Sequence, residues 1–346
     1  MDDDERNRLE DLPNELLADI FEYLDARDLY RAFHHLNNRF NLLLQSLHEL
    51  SLLLSICDRE EIADNALYLP YIQTLILKYR TDVKFYHYHN IRRLMIFWFT
   101  YTRPYKLETI ILPHLEYLSI HLKGSSANFS MTRLHETIFS NGFPCLKYCS
   151  LPKISPIQKT NRWSQVPSLR VLKVGHIGLF TYMAILSTCP YLHSFHFFEE
   201  KVLQTSVTLI QDVRHVHLKR LIIKEKYIGP ISHAGVLNEY FACVTHLEYL
   251  SIHGTTTYPM KNWKYLMEFD WYASIISMHL PVLRQFRFHL PIFRTKRMNE
   301  STHKDSFYQL EKRFQLMHQN RYHCRLIENR RNCKDLQYYD SSDLSD

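Results

Sequence analysis

Glycine is scarce in this chain, 7 of 346 residues, and no GxGxxG or GxxxxGKS/T run occurs. A phosphate cradle needs glycines so that backbone N–H groups can approach the anion closely, so nucleotide chemistry is not expected. HExxH, CxxC and GxSxG are also missing. Those patterns would have set two imidazoles on one helix face, paired two thiols, or lifted a nucleophile on a tight turn. The seven cysteines are odd in number and fit no disulfide framework. They read as small buried hydrophobes in a reducing compartment, cytoplasm and/or nucleus. The first residues, MDDDERNRLEDL, are acidic and polar, unlike a secretory leader. The longest apolar run, residues 42–56, carries Gln45, His48 and Glu49 and is too short to span a bilayer, so no membrane partner is expected.

What is present is aromatic and mildly basic. There are 23 Tyr and 20 Phe, hydrophobic residues make up 46%, and the net charge is +6. A large core is within reach. Nucleic acid is not an expected partner, because a charge of +6 spread over this length is no basic stripe. The cluster Arg294, Lys296, Arg297, Arg325, Arg330 and Arg331 is what a nucleic-acid reading would rest on.

Residues 12–47 carry three amphipathic stripes: Leu12, Leu16, Leu17, Ile20, Phe21 and Leu24; Leu29, Ala32, Phe33 and Leu36; Phe40, Leu43, Leu44 and Leu47. Spacings of three and four predict three short helices. Pro13 suits a first turn, Asp25 with Asp28 a capping box, and Asn37 or Asn38 an N-cap. So small a unit cannot bury this much apolar surface alone and needs a partner.

The segment resembles the F-box. Leu12-Pro13-Asn14-Glu15 opens it, Ile20 and Phe21 follow, then Leu24, Asp25, Asp28 and Leu29, and finally Leu36, Asn37, Asn38, Arg39 and Phe40. Leu36 stands where Val is usual, and Phe40 where Trp is usual. The resemblance implies docking on a Skp-family adaptor, and through it on a cullin. The adaptor-binding residues it implies are Leu12, Pro13, Glu15, Ile20, Leu24, Leu29, Leu36 and Phe40.

From residue 69 an apolar-xx-apolar-x-apolar pattern recurs nine times: Ile72/Leu75/Leu77, Ile91/Leu94/Ile96, Leu115/Leu118/Ile120, Leu146/Cys149/Leu151, Leu169/Leu172/Val174, Leu192/Phe195/Phe197, Leu218/Leu221/Ile223, Leu247/Leu250/Ile252 and Leu283/Phe286/Phe288. Pro70, Pro113, Pro144, Pro167, Pro190 and Pro281 each lie two residues before a first position, ending a helix and steering the chain into extended geometry. Helical stretches are expected between strands, at 179–186, 237–244 and 272–278. Strand, turn, helix, turn at this period predicts a stacked solenoid. It resembles irregular leucine-rich repeats, although the Asn or Cys that usually follows the strand is replaced by Arg80, Phe99, Lys123, Ile154, Ile177, Glu200, Lys226, Thr255 and Pro291.

The expected fold class is α/β: a small three-helix F-box, then an irregular solenoid with parallel strands on the concave side and helices on the convex side. The expected divisions are F-box 8–50, connector 51–68, solenoid 69–293, C-terminal helical cap 294–332 and acidic tail 333–346. The pairs His87/His89 and His215/His217, placed on strands, would each share one face, but no other ligand stands at metal spacing; no metal, cofactor or catalytic residue is expected. Alternation puts Tyr117, His121, Tyr148, His196, Tyr249, His253 and Arg287 on the open strand face, with Phe198, Arg220, Lys224 and His289 in the same rows. Aromatics and Arg anchor protein interfaces, so the first seven are the candidate surface for a protein substrate. Together these point to a non-catalytic substrate receptor of an SCF-type ubiquitin ligase. The alternative is a leucine-rich-repeat scaffold without that association.

Overall fold

The computed structural model describes residues 9–47, 50–55, 67–79, 83–99, 112–123, 132–154, 163–199, 214–225, 237–254, 258–259, 270–293, 308–309, 311–312, 314–318 and 323–330. The chain divides into two compact units, residues 1–126 and 127–346. The division falls inside the stretch assigned from sequence to one solenoid.

In the first unit, α1 (Asn14–Phe21), α2 (Ala26–Phe33) and α3 (Asn38–Ser46) precede parallel strands β1 (Leu50–Ser55), β2 (Ile72–Lys78), β3 (Arg93–Phe99) and β4 (Tyr117–Lys123). Pro13 stands just before α1 in extended geometry. The Asp25 carboxylate accepts the Arg27 N–H at 2.9 Å and the Asn37 side chain accepts the Phe40 N–H at 3.0 Å, each meeting an orphan donor of a first turn. The expected box partner, Asp28, lies exposed in the first turn of α2. Leu17, Phe21, Leu29, Phe40 and Leu44 are buried between the helices. The Phe33 ring lies 4.6 Å from that of Phe21 and 5.3 Å from that of Phe40.

Residues 51–55, assigned above to a connector, are strand. LSLLLS alternates buried and half-buried from Leu50 to Ser55, the period of a half-covered strand. Two side chains bind it to α2. Asp25 accepts the Leu53 N–H at 2.6 Å, and the Arg27 guanidinium, 3.2 Å from Asp25, donates to the Leu53 carbonyl at 2.6 Å.

The second unit holds α4 (Thr132–Phe139), β5 (Tyr148–Lys153), β6 (Val171–Ile177), α5 (Leu179–Thr188), β7 (Ser194–Glu199), β8 (Arg220–Glu225), helical residues 237–242, β9 (Tyr249–Gly254), β10 (Tyr258–Pro259), α6 (Asp270–His279), β11 (Gln285–Phe293), and β12 (His323–Arg330). Successive strands pair in parallel from β5 to β9. Then β11 pairs β9 and β10 along one edge and β12 along the other. This is a solenoid-like stack. Within the C-terminal helical cap expected at 294–332, helical turns appear within 308–317, while 323–330 is corrected to a strand that pairs with β11. The tail 333–346 lies outside the described residues.

Every side chain of the nine triads is buried, none more than 5% exposed. The prolines open a turn before the strand. In Leu112-Pro113-His114-Leu115, Phe143-Pro144-Cys145-Leu146, Cys189-Pro190-Tyr191-Leu192 and Leu280-Pro281-Val282-Leu283, the last N–H donates to the first carbonyl at 3.1–3.2 Å. Proline at the second turn position presets φ and has no N–H to lose. Helices cover the apolar strand face: Tyr182 of α5 lies 5.6 Å from Phe195 and 5.4 Å from Phe197, and Phe314 lies 5.5 Å from Phe286.

Candidate functional site

Two surfaces stand apart from this core. The first lies on α1 and its continuation. Leu16 is 49% exposed, Ile20 40% and Tyr23 90%. At spacings of four and three these share one helix face. Leu36 and Leu42 are also exposed. Beside Leu24 lies a cleft of about 170 Å³ lined by Phe21, Glu22, Leu24, Ser46, Leu47, Leu50 and Ser51.

The eight adaptor-binding residues implied by sequence separate into groups. Pro13, Glu15, Ile20 and Leu36 are exposed, and Leu12 and Leu24 are half-buried. Leu29 and Phe40 are wholly buried, which corrects their assignment as contacts; they hold α2 and α3 to α1. Leu16, Tyr23 and Leu42 belong to the exposed set and were passed over. The helical spacing of Leu16, Ile20 and Tyr23 was the signal that could have found them. Arg39 is a brace: its guanidinium donates to the Asn14 side chain at 2.9 Å and to the carbonyls of Glu10 and Leu12, tying the entry of α1 to α3.

The second surface is the strand face of unit 127–346 opposite its helices. Register aligns its side chains in rows across the sheet. One runs through Tyr148, Val171, Ser194, Arg220, Tyr249 and Gln285; the next through Ser150, Lys173, His196, Ile222, Ser251 and Arg287. A bulge after Lys173 returns His176 to the third row, with Phe198, Lys224, His253 and His289. Cations lie over rings throughout. Lys173 is 5.6 Å from the Tyr148 ring centroid, Lys224 4.9 Å from that of Phe198, and Arg220 and Arg287 are 4.6 and 5.5 Å from that of Tyr249. His253 and His289 stack at 3.8 Å with planes 8° apart. Of the seven substrate-surface candidates, Tyr148, His196, Tyr249, His253 and Arg287 are on this face. Tyr117 and His121 occupy the corresponding face of unit 1–126, where Arg93 lies 5.2 Å from the Tyr117 ring and Phe97 stacks on His121 at 4.7 Å.

A Ser-x-His contact recurs along these strands: Ser119 with His121 at 2.8 Å, Ser194 with His196 at 3.1 Å, and Ser251 with His253 at 3.0 Å. Burial first, then Lys173, Arg220 and Lys224, lowers His196 to about 3. Burial first, then His289, Lys224 and His196, lowers His253 to about 3. Burial, Arg287 and Lys224 lower His289 to about 4. These imidazoles are neutral at physiological pH, so the positive charge of the face is carried by Lys and Arg.

The two histidine pairs weighed from sequence are not strand pairs. His87 ends a 3-10 turn. His215 precedes β8, buried, its ring accepting the Leu218 N–H at 3.0 Å and meeting the Cys189 carbonyl at 2.9 Å. Among the described residues, no three of His, Cys, Asp and Glu gather where a metal could be held, and no helix is long and apolar enough to cross a membrane.

Comparison with curated proteins gives no match to the chain. Against protein families, a model described as F-box-like matches residues 9–37, the stretch that runs through α1 and α2. Segments of that description generally bind Skp-type adaptors.

Proposed function

We propose that this chain is the substrate-recognition subunit of an SCF-type ubiquitin ligase. In this reading α1 docks on a Skp-family adaptor, and so on a cullin, while the leucine-rich-repeat-like strands hold a target protein. The chain itself does no covalent chemistry. It contributes proximity, which raises the effective concentration of target lysines near a ubiquitin-charged enzyme. The observation that carries the reading is the exposed ridge Leu16, Ile20 and Tyr23 within the F-box-like segment. An apolar helix face open to water is what a partner surface needs.

Removing a buried Leu or Ile side chain from an interface core costs roughly 2 kcal/mol or more. Leu16→Ala with Ile20→Ala is therefore expected to weaken adaptor binding at least about a hundredfold, with folding unchanged because both residues are already exposed. Capture of adaptor and cullin from extract, followed by titration of the purified adaptor, makes the measurement. Equal affinity of the double variant overturns the proposal.

The rival reading is a repeat scaffold whose helices only cap the first strand. The bonds from Asp25 and Arg27 to Leu53 favour it for α2. They say nothing of the outer face of α1, and the Leu16/Ile20 titration separates the two readings there.

A further inference from the structure

Cations recur along the open face of unit 127–346, with Arg325 of β12 exposed beside Arg287 and Lys173 of β6 buried. Lys173 is on β6, Arg220 on β8 and Arg287 on β11, in the spatial order β6, β7, β8, β9, β11. Arg220 and Arg287 start two strand spacings and one row apart, but both guanidinium groups converge on the Tyr249 ring, 4.6 and 5.5 Å from its centroid, and so lie no more than about 10 Å apart; three residues of extended chain span about 10 Å. Among the described residues, no Asp or Glu stands in the three rows. With its side-chain oxygen turned toward Arg287, Gln285 accepts from that guanidinium at 3.0 and 2.9 Å, a neutral support that leaves the charge in place.

We propose that this face binds an acidic, extended segment of a target protein, with carboxylates three residues apart lying on Arg220 and Arg287. The segment crosses the strands. A guanidinium held over a ring can still present an N–H edge to a carboxylate; in Arg287 the Nε–Nη2 edge is taken by Gln285, and the Nη1–Nη2 edge is the one left for the ligand. Nucleic acid fits less well. Base stacking needs open ring faces, yet the Tyr249 ring carries Arg220 and Arg287, and His253 and His289 stack on each other. The inference rests on the receptor reading for where the segment comes from, but not for its binding.

The test uses the full chain and a fluorescent synthetic peptide with Asp at every third position in a Ser-rich background, read by anisotropy. A peptide with Lys in place of Asp and a single-stranded RNA serve as comparisons. The Asp peptide is expected to bind. A charge-assisted hydrogen bond contributes enough that Arg220→Gln and Arg287→Gln should each weaken binding about tenfold. The Arg→Lys pair, which keeps charge and loses the fork, should lose less. Circular dichroism confirms that each variant is folded. The proposal falls if the Asp peptide does not bind, if the Gln variants bind as well as the parent, or if the RNA binds tighter. It also falls if binding appears only after removal of 333–346. Asp340, Asp343 and Asp346 have the same spacing, and that result would assign the face to the chain's own end. Adaptor capture from the same preparation keeps the failures apart. Adaptor without peptide overturns this inference alone; peptide without adaptor overturns the receptor reading.

Discussion

The ridge on α1 is exposed, whereas the strand face of unit 127–346 is mostly half-buried, with Arg220 and His176 exposed and Lys173, Ser194 and Ser251 buried; the two are built on opposite principles. Leu16, Ile20 and Tyr23 offer apolar surface in which the Tyr23 hydroxyl is the one polar group. On the strand face the apolar surface of Tyr249 and Phe198 is already covered by the cations above it. The ridge suits a partner that buries area, and its binding should change little with salt. The strand face suits a charged partner whose affinity falls as ions screen the guanidinium groups. On the proposed reading, one chain would carry a fixed contact little affected by salt and a selective one tuned by charge.

Acid should break the comparison most, because three imidazoles act together on one side of it. The folded-state values of His196, His253 and His289 are lowered to about 3, 3 and 4, while the unfolded chain protonates near 6.5. Above that value neither state binds the proton and pH has no effect through these groups. Below it the unfolded state gains protons that the folded state refuses, so stability is lost as pH falls from about 6.5 toward 4. The cations facing them are Lys173, Arg220, Lys224 and Arg287. Melting followed by tyrosine near-UV dichroism between pH 7.5 and 5 should show a falling midpoint. His196→Gln with His253→Gln should flatten the dependence, and an unchanged slope would refute the assignment.

The next effect lies on the other side. Phe40→Ala removes a ring packed against Phe21 and Phe33 and should cost about 3–5 kcal/mol in the three-helix segment. Adaptor binding would be lost through unfolding, seen as lost helical dichroism. Leu16→Ala with Ile20→Ala should lose binding while keeping helicity. If the two variants behave alike, the division between core and contact residues is wrong.

That division is where the sequence was least legible. The motif positions Leu29 and Phe40 were read as contacts because the F-box pattern specifies their type, but a pattern specifies core and surface alike. The triads were legible because each demands three buried apolar side chains at fixed spacing, and all nine are buried. Strand β1 was hidden because Leu47, Leu50 and Leu52 repeat the triad inside an apolar run beginning in α3, so helix and strand periods overlap. Strand β12 was hidden because Arg321 stands where the triad needs an apolar residue, leaving only Cys324 and Leu326, which pair Phe286 and Phe288. On the strand face, alternation placed Arg220 and Lys224 in the right rows, but their position over the rings of Tyr249 and Phe198 comes from register between distant strands.

The smallest effect tests the junction of helix and strand. Asp25 serves three donors, Arg27 N–H at 2.9 Å, Leu53 N–H at 2.6 Å and Arg27 Nε–H at 3.2 Å, the last orienting the guanidinium that reaches the Leu53 carbonyl. Asp25→Ala removes a helix cap and leaves a half-buried strand N–H unmet, together worth roughly 1–3 kcal/mol. Asp25→Asn keeps an oxygen for one donor and should recover part of that loss. Slowed hydrogen exchange at Leu53 N–H in the parent, and its acceleration in Asp25→Ala but less in Asp25→Asn, would show that α2 is fastened to β1 by this carboxylate. The outer face of α1 takes no part in the bond, so adaptor affinity measured on the folded fraction should stay within about twofold, a difference of under 0.5 kcal/mol. A larger drop would mean that the end-cap role and the docking role share one surface, and the contrast between a structural α2 and a docking α1 would not hold.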